Sequence, residues 1–106
     1  MVNQYEIYWV NLDPTVGSEI NKTRPGLIIS PDDSNKHLNT LLIAPLTSTI
    51  RRFPMRVNIV LNGKKGQVAL DQIRCVDKSR LTKKLGQLSS KEEKKLKQIL
   101  QEYLID

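Results

Sequence analysis

Apolar residues recur at spacings of two through the first two thirds of the chain and at spacings of three and four near its end. Tyr5 to Leu12 mixes aromatic and β-branched residues, alternates at Tyr5, Ile7 and Trp9, and stops at Asp13-Pro14, which predicts a strand. Gly26-Leu27-Ile28-Ile29-Ser30 is a second, followed by a polar turn over Pro31–Asn35. The continuously apolar Thr40 to Ala44 predicts a strand buried on both faces. Met55 to Leu61 sets Val57, Ile59 and Leu61 on one face and Arg56 and Asn58 on the other. Asn62-Gly63-Lys64-Lys65-Gly66 has the chemistry of a hairpin turn, and Gln67 to Leu70 returns from it. Five strands are thus expected before any helix.

The period then changes. Ser90-Lys91-Glu92-Glu93 reads as a capping box with Ser90 as the cap. Beyond it Leu96, Ile99, Leu100, Tyr103 and Leu104 form one stripe of an amphipathic helix, with the lysines at 91, 94, 95 and 97 mostly on a solvated face. Short strands followed by a helix predict a mainly β fold, a small and strongly curved antiparallel sheet or barrel carrying one packed C-terminal helix. No repeat or linker interrupts the chain, so residues 1–106 read as one domain.

A chain of 106 residues can bury roughly 60–70% of its unfolded surface, enough for a core without disulfide or metal. The single cysteine, Cys75, forms no internal bridge. The longest apolar run, Leu41 to Leu46, is far short of the ~20 residues a spanning helix needs, and the N-terminus lacks the basic and apolar regions of a secretory leader. No membrane association and a cytoplasmic location are therefore expected. Charge is uneven: Ser34 to Leu70 holds no Asp or Glu but carries Lys36, Arg51, Arg52, Arg56, Lys64 and Lys65, six cations that equal the whole net charge of +6. Clustered cations gain free energy by displacing counterions from phosphates, so a polyanionic partner is expected.

Conventional catalytic constellations are scarce. His37 and Cys75 have no companions at metal-ligand spacing, which predicts no metal and no cofactor, and no nucleophile elbow or Gly-rich phosphate cradle is present. Two loops that follow strands remain, Asp13 to Pro25 and Pro45 to Pro54. Both offer phosphate-binding groups without an evident base, and long ordered loops in small domains are often functional.

The string Trp9 to Glu19, then Arg24-Pro25, Ile29-Ser30, Pro45 to Ser48, and Leu70 to Leu81 resembles the MazF/PemK toxins in order and spacing over most of the chain. The resemblance implies an SH3-like barrel of the CcdB–MazF type and a homodimer. It further implies a sequence-specific, metal-independent and ribosome-independent endoribonuclease that cuts single-stranded mRNA, with a cognate antitoxin as partner. By matching position it makes Arg24 and Thr47 catalytic, and Ser18, Glu19, Ser48, Asp71 and Gln72 substrate-binding.

The chemistry is consistent with such a site. RNA carries its own nucleophile, since the adjacent 2′-OH can attack phosphorus and leave a 2′,3′-cyclic phosphate and a 5′-OH. The protein need only align the ribose and stabilise charge, tasks that suit the rigid, permanently charged fork of Arg24 and the hydroxyl of Thr47. Duller roles stand beside these: Glu19 pairing with Lys22 or Arg24, Thr47 and Ser48 as turn formers, Arg74, Asp77 and Arg80 as structural pairs, and Trp9 as core. The chain departs from the family where Ile20-Asn21-Lys22 replaces a Gln-x-Gly, which predicts a stiffer first loop. Two other functions fit the same barrel. One is a gyrase poison of the CcdB type, against which the ending Tyr103-Leu104-Ile105-Asp106 argues because it lacks Trp-Gly-Ile. The other is a non-catalytic module that binds RNA or an acidic peptide.

Overall fold

The computed structural model describes residues 1–20 and 22–106. Among the described residues seven strands, β1 (Glu6–Asn11), β2 (Thr23–Ile28), β3 (Thr40–Thr47), β4 (Arg56–Leu61), β5 (Lys64–Ala69), β6 (Arg74–Asp77) and β7 (Leu81–Gln87), accompany two α-helices, α1 (Asp32–His37) and α2 (Ser90–Leu100). The strands form one antiparallel curled sheet in the order β4-β5-β3-β2-β1-β7, with β6 paired to the first half of β3. The expected mainly β architecture with a C-terminal helix is what forms. Among the described residues no helix is long and apolar enough to cross a membrane.

The central strands are buried on both faces. Leu27, Ala44 and Leu46 join Ile7, Val57, Ile59, Val68 and Leu70 in one cluster, which α2 closes with fully buried Leu96. Ile28, Leu41 and Ile43 face the opposite way and pack with Val10, Leu12 and Val76 in a second. Gly26 lets β1 and β2 approach, because a Cβ there would sit 2.9 Å from Cγ2 of Val10. The Asn62-Gly63 hairpin uses only those two residues, both at positive φ, so Lys64 and Lys65 belong to β5 rather than to the turn.

Several local expectations are corrected. The polar turn at Pro31–Asn35 gives way to α1, whose first turn holds Asp32 and Asp33 and whose last holds Lys36 and His37, a charge order that suits the helix dipole. β3 runs on through Pro45 to Thr47, and its early part alternates, leaving Leu42 exposed. β2 starts at Thr23, so Arg24 and Pro25 lie in a strand; pairing to β3 begins only at Gly26, which makes Pro25 an edge position where a missing amide is tolerated. β6 and β7 lack a periodic signal, β7 being a lysine-bearing edge strand with two register shifts against β1. The cap of α2 is Ser89, not Ser90: Ser89 Oγ accepts from the Glu92 amide at 3.1 Å and Glu92 Oε1 from the Ser89 amide at 3.0 Å. Only the first part of the α2 stripe is covered, for Tyr103 and Leu104 are exposed beyond Leu100.

Candidate functional site

β4 and β7 are the terminal strands of the sheet and lie against each other without being paired, a Cβ on Gly86 falling 3.1 Å from Leu61 Cδ1. Along this seam opens a cavity of about 470 Å³. Its apolar floor is Leu46, Ile59, Leu61 and Leu85, with Trp9 and Pro25 beside them as cross-strand neighbours. Its polar groups are Arg24 from β2, Thr47 and Ser48 from the end of β3, and three lysines, Lys22, Lys64 and Lys65. Arg24, Thr47 and Ser48 are thereby brought together from two strands.

Thr47 is oriented by the turn it begins, its Oγ1 accepting from the Thr49 amide at 3.1 Å. The hydroxyl hydrogen is consequently directed elsewhere. The loop after it is held by Gln67, which is 3% exposed: its Oε1 accepts from the Arg51 amide at 3.0 Å and its Nε2 donates to the Arg51 carbonyl at 2.8 Å. This reproduces with a side chain the paired bonds that a neighbouring strand would make.

The other matched residues line a separate cavity of about 330 Å³, formed by Ser18, Glu19, Asp71 and Gln72 with Pro45 and Arg74. Gln72 Oε1 accepts from the Ile20 amide at 2.6 Å, tying the first loop to the turn after β5. Glu19 Oε1 accepts from the Val16 amide at 2.5 Å, so the carboxylate shapes its own loop. Asp71 takes a two-point contact from Arg56, 2.7 Å from Nε and 3.1 Å from Nη2, while the same guanidinium lies 5.5 Å from the centre of the Phe53 ring. That pairing holds the Asp71 carboxyl below the usual carboxylate range.

The first loop is ordered by backbone-directed bonds. Lys22 N donates to Asp13 Oδ1 at 3.0 Å, Leu12 N to the Lys22 carbonyl at 3.0 Å, and Arg74 Nη1 to the Leu12 carbonyl at 2.9 Å, while Arg80 donates to the carbonyls of Asn11 and Asp13. Arg74 and Arg80 are structural as expected, though they bind backbone rather than carboxylates. Lys22 has a left-handed φ of 66°, so the backbone keeps a conformation that favours glycine with a lysine in place; Asn21 of the departing Ile20-Asn21-Lys22 lies outside the described residues.

Trp9 corrects the expectation of a core residue. It shares a face with Ile7, but that face leaves the core and opens into the larger cavity, leaving the indole 40% exposed. Lys64 and Lys65 are visible in the sequence only as charge, since nothing in their spacing places them in one cavity with Arg24. The Arg56–Asp71 pair had a faint signal: Arg56 is registered with Ala69, two residues before Asp71.

The family model of PemK-like, MazF-like toxins of type II toxin–antitoxin systems matches residues 3–104. Endoribonuclease EndoA of Bacillus subtilis (strain 168) is 31% identical over 95% of this chain and 92% of its own. The solved structure of MazF from Deinococcus radiodurans superposes with a TM-score of 0.84 at 26% identity, covering 97% of this chain and 96% of that one. An endoribonuclease of a mycobacterial species, solved in complex with its cognate antitoxin, superposes with a TM-score of 0.84 at 24% identity, covering 98% and 95%.

Proposed function

The chain belongs to the PemK-like, MazF-like toxins of type II toxin–antitoxin systems and is an endoribonuclease with an antitoxin as partner; on that premise we propose that it cuts single-stranded mRNA, without metal or ribosome, through Arg24 and Thr47. The observation that carries the reading is the convergence of Arg24, Thr47, Ser48 and three lysines on one cavity that apolar residues also line. Such a site attracts a phosphate and offers bases a surface away from water.

The scissile phosphate sits against Arg24, whose planar fork matches two phosphoryl oxygens. The 2′-oxygen on its 5′ side attacks phosphorus and loses its proton as the P–O2′ bond forms. The P–O5′ bond then breaks, the departing oxygen takes up a proton, and the products are a 2′,3′-cyclic phosphate and a 5′-OH. Thr47, already accepting from the Thr49 amide, donates its hydroxyl hydrogen to a non-bridging oxygen as charge builds there. A guanidinium keeps its charge and has no lone pair to spare for a proton, so Arg24 is suited to charge stabilisation and not to proton abstraction. Because the nucleophile belongs to the substrate and the cations to the protein, the chemistry needs no metal.

Ser48 borders the same phosphate, while Ser18, Glu19, Asp71 and Gln72 contact the strand from the neighbouring cavity, with Asp71 and Gln72 held in place by Arg56 and the Ile20 amide. We take the working species as a cytoplasmic homodimer, to which the exposed Leu104 and Ile105 give an apolar surface; a monomer by sedimentation at micromolar concentration would count against it. The decisive test is a long, weakly structured RNA incubated in EDTA with the wild-type protein and with Arg24→Ala. Discrete fragments bearing cyclic phosphate ends, lost in the variant and lost when the 2′-OH at the cut is removed, support the mechanism. Cleavage of the 2′-deoxy substrate refutes it, and RNA bound but never cut points to a binding module.

A further inference from the structure

Beside the cleavage cavity lies another of about 400 Å³ that the mechanism leaves unused, bordered by Ile50, Asn58, Val60 and Glu92 and sharing Ile59, Lys65 and Gly66 with its neighbour. We propose that this hollow is a nucleobase subsite for the RNA strand running from the scissile phosphate, and that Asn58 selects the base by donating to an acceptor on its edge. The proposal rests on the nuclease reading.

A chain of amide orientations runs from the Arg51 backbone to Asn58. The Arg51 backbone offers one donor and one acceptor, and Gln67 answers both, Oε1 to the amide and Nε2 to the carbonyl. That leaves the Gln67 amide only one way round. The same Nε2 donates to Asn58 Oδ1 at 2.8 Å, which fixes the Asn58 amide in turn. Its oxygen is spoken for, and its NH2 group is the end presented to the hollow. Asn58 is exposed on β4, so this donor is available to a ligand. A donor whose sense is dictated by the backbone discriminates between bases better than a freely flipping amide does.

The rest of the lining suits a base rather than a phosphate. Ile50 and Val60 are each more than half exposed and give apolar surfaces for a flat ring. Glu92 brings a negative charge that repels phosphate, and both its oxygens are engaged, Oε1 by the Ser89 amide and Oε2 by the Val60 amide at 2.8 Å. Lys65, in the wall shared by the two cavities, stands where the backbone between two successive nucleotides would cross.

The test is cleavage-site sequencing of an RNA pool of random sequence with the wild-type protein, Asn58→Asp and Asn58→Ala. The aspartate keeps an oxygen for Gln67 but turns the presented donor into an acceptor. The expected result is a change of roughly fivefold or more in base preference at one position next to the cut, in opposite senses for acceptor- and amino-bearing edges, with other positions unmoved. Identical profiles for all three proteins overturn the proposal, as does an Asn58 effect confined to antitoxin affinity. A second measurement stands apart from turnover: the side-chain NH2 resonances of Asn58 followed by NMR as a short oligonucleotide, 2′-deoxy at the cut, is added. If no RNA is cut at all, the nuclease reading fails alone, and these resonances still decide the subsite. A saturable shift supports it, and unmoved resonances at saturation refute it.

Discussion

Asp71 separates a structural role from a substrate-binding one, and Asp71→Asn with Arg56→Met can tell them apart. Arg56 is 9% exposed and Asp71 25% at the side chain, and two charge-assisted bonds join them. Such bonds contribute about 1.5–3 kcal/mol when sheltered, and water at Asp71 reduces this to about 1–2 kcal/mol. For a domain of this size that corresponds to a fall in Tm of roughly 5–10 °C. Each single variant should show it, and the double variant should lose little more, since either change breaks the same pair. The pH dependence has a definite sign. The folded-state pKa of Asp71 is held below its unfolded value by Arg56, so the stabilisation is present above about pH 4 and fades as pH falls through the folded-state value. Urea titrations of the four proteins at pH 7 and pH 3 supply the measurement. Additive losses, or a cost that is the same at both pH values, would refute the clamp by which Arg56 holds Asp71 in place.

Other consequences follow from single positions. Leu96→Ala empties the place where α2 closes the core and should cost about 2–5 kcal/mol by denaturant titration. Gly26→Ala brings a methyl within 2.9 Å of Val10 Cγ2 and should destabilise by about 1–3 kcal/mol, with partial recovery in combination with Val10→Ala. Lys22→Gly relieves a left-handed lysine and should raise stability by about 0.5–1 kcal/mol while removing a cation from the cavity, so that Tm rises as RNA affinity falls. Thr47→Val should lower kcat by roughly a hundredfold with little change in KM, and Thr47→Ser should retain most turnover, because only the serine keeps a hydroxyl for the developing charge.

The strands easiest to see in the sequence are those with one wet face. Val57, Ile59 and Leu61 alternate because β4 is an edge strand, and its hairpin is marked by Asn62-Gly63, whose positive φ values such residues tolerate. β6 and β7 were not visible because their burial is set by neighbours far along the chain: Leu85 turns toward a cavity walled by β2, β3 and β4, and Val76 into a cluster built by β1 to β3. Arg24 and Thr47 could be singled out only by the order of short strings around them. That each lies at a strand end rather than in a loop matters, for a strand fixes its residues to the sheet more firmly than a free connection would.

The seven residues matched to the family divide between two cavities of unlike chemistry, and that division constrains how a nucleic acid can lie. The larger collects Arg24 and three lysines and holds no carboxylate; the smaller sets Glu19 and Asp71 beside Arg74 and an amide. A phosphate is drawn far more strongly to the first than to the second, whereas a base with amino groups on its edge finds acceptors in the second. On the proposed reading the salt dependence of binding therefore belongs almost wholly to the larger cavity. Replacing Lys64 or Lys65 by glutamine should flatten the slope of log affinity against log salt by about 0.7 per lost phosphate contact, while changes at Gln72 or Glu19 should alter which sequence is cut and leave that slope alone. A slope that responds equally to Gln72→Ala and Lys64→Gln would mean that both cavities hold phosphate, and the division of labour would fall.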